Sequence, residues 1–263
     1  MTVDIPTMLS TCIQIVLFIV LLVLSVQMIR ESDRSLTAVF LTFTLSLWLF
    51  TDLYWIIYDF MRPDRRMPFA VNEIGEAAIF LLMPALLSSA VNYRLLSARK
   101  QTVGTVLFAV CNVVLWIAWS SEWVQDILIG VAFAYFLCNI ACALKVQRQL
   151  SKKEWIGLGI GCTLLIIAQV ITFFVEPKTR VVVEIGCYLF LIAGVVYWVY
   201  KLIAANKNQT SSKAMLCLVL ALLWWSMMAK YMSGGMWYTA FMGVETIALL
   251  LMYLSVRKVV ADA

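Results

Sequence analysis

Apolar residues run almost unbroken for about twenty positions at a time along this chain, and polar residues gather in short clusters between the runs. A hydrocarbon layer of about 30 Å takes roughly 20 residues of helix at 1.5 Å each. Cutting the chain at its polar clusters predicts nine such helices, over approximately 8–29, 36–60, 71–95, 102–120, 124–146, 154–175, 181–203, 213–232 and 236–256. The expected fold is all-α: a polytopic membrane helix bundle occupying residues 1–263 as a single integral domain. No separate soluble domain is expected, because the longest polar interval is about a dozen residues. The fourth run is short and the turn after it, over 120–122, is tight. An eight-span bundle with one re-entrant pair is the alternative.

Composition sharpens the class. The chain is 63% hydrophobic and 13% charged, with a mean hydropathy of +0.94. Soluble domains run near 45–50% apolar and about 25% charged, so the surplus must face lipid, and the lipid bilayer is the first partner. The net charge of +5 is not gathered on one basic face, which argues against nucleic acid. The opening MTVDIPTMLS has an acid and no Lys or Arg, so a cleavable signal peptide is not expected. The seven cysteines all lie in apolar runs, form no CxxC pair and have no histidine beside them. No metal site and no cofactor are expected. Cys138 and Cys142, at i,i+4, read as small apolar contact residues.

Charge placement predicts an orientation. With the N-terminus outside, 14 of the 20 basic residues fall in inner loops, which the positive-inside rule favours. The expectation is N-terminus out and C-terminus in the cytoplasm, in a plasma membrane of the bacterial kind. Eleven of the 15 acids then lie outside or in outer helix halves, and the rule itself does not ask for that.

Four helix starts resemble one another: NEIGEAAIFLL at 72–82, VQDILIGVAF at 124–133, VVEIGCYLFLI at 182–192 and GVETIALLLM at 243–252. Each carries an acid near its outer start, and each follows a helix ending in aromatic or polar residues. They read as four repeated αα-hairpins after a lone first helix, in the parallel sense that some transporters use. Gly157 and Gly161 make a Gly-xxx-Gly pair for close helix approach. Pro84 should kink the third helix and free a carbonyl. Most of the ten tryptophans lie near predicted interfaces, as an aromatic belt would place them.

The candidate chemistry is buried charge. A charged side chain at bilayer depth costs about 2.5–3.5 kcal/mol on insertion scales, so it usually faces a partner or a cavity. Asp52 shares a helix face with Asp59, with Trp55 between them. Asn72, Glu73 and Glu76 share a face of the next helix. Glu245 enters the last helix by about nine residues, and Lys230 is its natural counter-charge. Arg62, Arg65 and Arg66 could cover the mouth. The ligand-binding set expected is Asp52, Trp55, Asn72, Glu73, Glu76, Lys230 and Glu245, around an outward-facing pocket among helices two, three, eight and nine. Such a pocket suits a small cationic ligand, held by carboxylates and aromatic faces. The competing reading is that these charges pair with one another and fix helix register. Asp59, Asp64 and the three arginines read as interfacial salt bridges.

Three function classes follow. A transporter or carrier for a small molecule or ion leads. A membrane-embedded ligand sensor or partner-docking module, working through a homo-oligomer or a membrane partner, is the alternative. An intramembrane enzyme using Asp52 with Glu76 is third, and lacks a nucleophile motif or metal box, so no catalytic residue is assigned. Lys230 as a Schiff-base lysine fails on position, because it lies near a helix end where it can snorkel.

Overall fold

The computed structural model describes residues 5–32, 35–61, 71–91, 99–120, 123–172 and 174–262; within these, the side chains of residues 59, 71–73, 99–101, 115–120 and 123–126 lie outside the description. Among the described residues the chain forms nine helices: α1 (Ile5–Glu31), α2 (Leu36–Met61), α3 (Val71–Val91), α4 (Arg99–Ser120), α5 (Trp123–Val146), α6 (Lys152–Thr172), α7 (Pro177–Lys207), α8 (Ser212–Tyr231) and α9 (Met236–Ala261). Eight are long and apolar enough to cross a membrane, and α4 contributes a shorter apolar stretch over Thr102–Val114. The fold is the polytopic helical bundle expected. The main departure is length. At 31 residues α7 extends about 46 Å, beyond the hydrocarbon layer, because Pro177 starts it at the first helical position and Lys207 still continues it.

Local chemistry sets the boundaries. Ser151 and Glu154 form a reciprocal cap on α6: the Ser151 N–H donates to Glu154 Oε2 at 2.7 Å and the Glu154 N–H to Ser151 Oγ at 3.3 Å. The second Glu154 oxygen accepts from Tyr197 Oη and Lys201 Nζ, each at 3.0 Å, which ties α6 to α7. Ser211 caps α8 by accepting from the Ala214 N–H. Gly235, at φ 57°, makes the turn into α9, a conformation that a side chain would strain. Within the helices, hydroxyls of Thr11, Thr42, Thr44, Ser46 and Thr51 donate back to the carbonyl four residues earlier. That satisfies them where no water is at hand.

Sequential pairs α2–α3, α4–α5, α6–α7 and α8–α9 pack side by side, as the hairpin reading requires. The pairs then assemble unequally. Helices α1, α2, α3, α5, α8 and α9 close a ring through successive contacts, with α4 against α5, α7 against α8 and α6 outermost on α7. Helix α8, packed between α5, α7 and α9, is buried along nearly its whole length.

Two packing expectations need correction. An added Cβ on Gly157 or Gly159 would meet nothing within 4 Å, and on Gly161 it would meet only the Phe190 ring. The small residues of α6 therefore do not seat a neighbouring backbone within the chain, because α6 lies at the periphery with most of its surface free. Close approach occurs instead at Gly194, against the Trp225 indole, whose N–H donates to the Leu191 carbonyl at 2.9 Å. The tryptophans also depart from a belt. Trp48, Trp198, Trp224 and Trp225 are buried in the core, while Trp237 is partly exposed and stacks on Tyr188. Trp224 and Trp225 can sit inside because each indole N–H reaches a helix carbonyl, Phe133 and Leu191 respectively. Trp116, Trp119 and Trp123 fall outside the described side chains.

Candidate functional site

A partly open cavity of about 260 Å³ lies at the end of the bundle that holds the α8–α9 turn. Each ring helix except α5 contributes to it. From α2 come Trp48, Thr51, Asp52 and Trp55; from α3, Glu76, Ile79 and Phe80; from α8, Met227, Lys230 and Tyr231; from α9, Tyr238 and Met242. Helix α1 adds Thr11 and Gln14. Lys230 stands one residue from the end of α8, and Tyr238 is the third residue of α9. Trp48 stacks on Phe18 at 5.7 Å beneath the cavity. Past that pair, Leu21, Leu41, Leu45, Met83 and Leu86 are at most 1% exposed, so the opposite half of the bundle is closed by packed side chains.

The structure brings together Asp52, Trp55, Glu76 and Lys230 of the expected set. Glu245 stands behind them, fully buried, with its Oε2 2.8 Å from Lys230 Nζ. Among the described residues neither Glu245 oxygen has an aligned hydrogen-bond donor, so the two charges meet off the hydrogen-bond axis and acceptor capacity is left over. Lys230 also sits over the Tyr231 ring, 5.2 Å from its centroid. Tyr231 stands beside Glu76 on the cavity wall. Asp52 is different: its Oδ2 is buried and has no hydrogen-bond partner among the described residues. Gln14, 1% exposed on the cavity wall, likewise has a side-chain N–H₂ without an acceptor. The register reading therefore holds for Lys230 with Glu245, and leaves Asp52 unaccounted for.

Asn72 and Glu73 lie on the first turn of α3, but their side chains are outside the described residues. So are the Asp59 side chain and the whole of Arg62, Asp64, Arg65 and Arg66. Sequence reasoning missed the contribution of α1. Gln14 and Thr11 sit three residues apart on one face, and that polar pair in an otherwise apolar run was the available signal. Tyr238 and Trp48 carried no such signal, since aromatic residues are common throughout the chain.

The site depends on a close approach of α2 and α3. A Cβ at Gly75 would collide with the Thr51 hydroxyl, which is held by its bond to the Leu47 carbonyl. Gly75→Ala is expected to lower stability by about 1–3 kcal/mol through overpacking, read as a drop in melting temperature in detergent. Adding Thr51→Ala should recover most of it, because the next Thr51 atom, Cβ, stands at an ordinary 3.6 Å. A double variant as unstable as Gly75→Ala would show that the contact does not set the helix spacing.

Among the described residues no three Asp, Glu, Cys or His side chains are gathered closely enough to cage a metal ion. Two carboxyls, Asp52 of α2 and Glu76 of α3, stand on the cavity wall among aromatic and apolar residues, and Glu245 lies behind it. Comparison with family models, with curated proteins and with solved structures gives no match for this chain.

Proposed function

We propose that the cavity binds a small organic cation and that the protein is a carrier for it. The observation that carries this reading is the charge inventory: Asp52, Glu76 and Glu245 surround a single base, Lys230, among the described residues of the site. Glu245 is matched by Lys230, Glu76 stands beside Tyr231, and Asp52, on the helix face it shares with Trp48 and Trp55, presents an oxygen without a partner among the described residues. An ammonium group supplies both the missing charge and the missing donor, and aromatic faces attract its alkyl substituents and its charge together. Dispersed carboxyls suit an organic cation better than a bare metal ion, which asks for converging oxygens. In the orientation favoured by the basic-residue bias, the cavity faces the outside and the packed half faces the cytoplasm. A pocket accessible from one side is one of the two states that a carrier alternates between.

The packed inner half also favours a second reading, a sensor that binds the cation and signals without moving it. A thermal-melt screen with choline, putrescine and tetramethylammonium, followed by uptake of the stabilising compound into proteoliposomes, tests both. A melt shift with saturable uptake supports the carrier. A melt shift without uptake supports the sensor. No shift with any amine, across millimolar concentrations, would overturn the organic-cation reading.

A further inference from the structure

At the other end of the bundle, helices α7 and α9 flank a groove of about 850 Å³ floored by α8. Its floor is Val219 and Leu222, both nearly fully buried, and its walls are apolar side chains such as Val199, Ile203, Ile247 and Leu254, all substantially exposed. Polarity is confined to one end, where Arg257 and Lys258 of α9 stand across from Asn206 of α7. Neither cation forms an ion pair among the described residues, and the nearby carboxylate of Asp262 is engaged by the Ser212 hydroxyl.

We infer that this groove is a binding site for one anionic phospholipid, with an acyl chain along the α8 floor and the phosphate at Arg257 and Lys258. Length supports this occupant. From Val244 to Lys258 the α9 wall rises fourteen residues, about 21 Å, which is about half the 40–45 Å thickness of a bilayer with its headgroups. The groove therefore matches a single leaflet, apolar along the chain region and basic at the headgroup level. Charge supports it too. Basic pockets between membrane helices on the cytoplasmic side hold acidic headgroups, and the expected orientation places Arg257 and Lys258 on that side. A second copy of this chain would fill the apolar walls but would not explain two cations without partners at one end.

The test uses the whole protein reconstituted in vesicles of phosphatidylglycerol and phosphatidylcholine in equal amounts, then released in mild detergent and weighed by native mass spectrometry. The wild type should retain one phosphatidylglycerol per chain, in preference to phosphatidylcholine. The double variant Arg257→Gln, Lys258→Gln should lose that preference by about tenfold. Ile247→Trp, at a position 60% exposed, should fill the groove and lower retention of either lipid without affecting the fold. Equal retention of both headgroups by the wild type would overturn the inference, as would retention unchanged in both variants. A dimer that Ile247→Trp dissociates, carrying no retained lipid, would assign the groove to a second copy and overturn it as well.

Discussion

Lys230→Met should be the most destabilising single change in this protein, costing about 3–5 kcal/mol, the usual penalty for removing one partner of a buried ion pair. The reason is asymmetry. Among the described residues Lys230 is the single base beside three carboxyls, so its loss leaves Asp52, Glu76 and Glu245 with no described cation near them. Glu245→Gln is different, because Lys230 then still has Asp52 and Glu76 within the same cavity. Its cost should be smaller, about 1–3 kcal/mol. The two changes should not add. Glu245→Gln placed on Lys230→Met removes one of the stranded charges and should restore part of the lost stability, so the double variant melts above Lys230→Met alone. Chemical unfolding of the four proteins in one detergent measures the cycle. Strict additivity, or a Lys230→Met protein as stable as the wild type, would show that the pair contributes nothing to the folded state. That stability also bears on function, since a buried ion pair linking α8 to α9 behind the cavity must persist or break if the cavity changes its access.

Much of this arrangement was legible in the sequence. Helix positions follow from the length of apolar runs, because a bilayer leaves backbone groups no partner except their own helix. The pairing of Lys230 with Glu245 was legible because Glu245 sits at a depth where insertion is costly and Lys230 is the base at the near end of the adjacent antiparallel helix. What escaped was lateral order. The ring formed by α1, α2, α3, α5, α8 and α9 skips α4, α6 and α7, and no hydropathy pattern announces which spans are central when every span is apolar on all sides. For that reason the sequence leaves α1 outside the expected site, although Gln14 and Thr11 bring it to the cavity, and the glycines of α6 suggest a packing role that its peripheral place does not use. Tryptophans misled for a related reason. An indole near a helix end fits the interface equally well as the core, and only the carbonyls of Phe133 and Leu191 decide between them for Trp224 and Trp225.

Asp52→Asn should separate binding from folding. The carboxylate at this position has a buried oxygen that no described residue satisfies, and it lies nine residues in from the end of α2, about 14 Å along the helix. If it awaits a cation, replacing it with the isosteric amide removes a charge-assisted hydrogen bond worth about 1.5–3 kcal/mol, and affinity for the amine should fall about tenfold to a hundredfold. Stability should move the other way. An uncompensated charge at membrane depth is costly, so the neutral amide should leave the melting temperature of the empty protein unchanged or raise it. Glu76→Gln should weaken binding less, because Glu76 presents no buried oxygen lacking a partner and only its charge is lost. The contrast identifies the role of each acid. A purely architectural Asp52 would give the reverse result, with a lower melting temperature in Asp52→Asn and the same amine affinity as the wild type. Titrating the amine against both variants and the wild type, with melting curves recorded at each concentration, distinguishes the two outcomes. Trp55→Leu provides the independent control: it leaves every carboxyl in place, and loss of the ring face should lower affinity for tetramethylammonium, which has no N–H to donate, more than for putrescine.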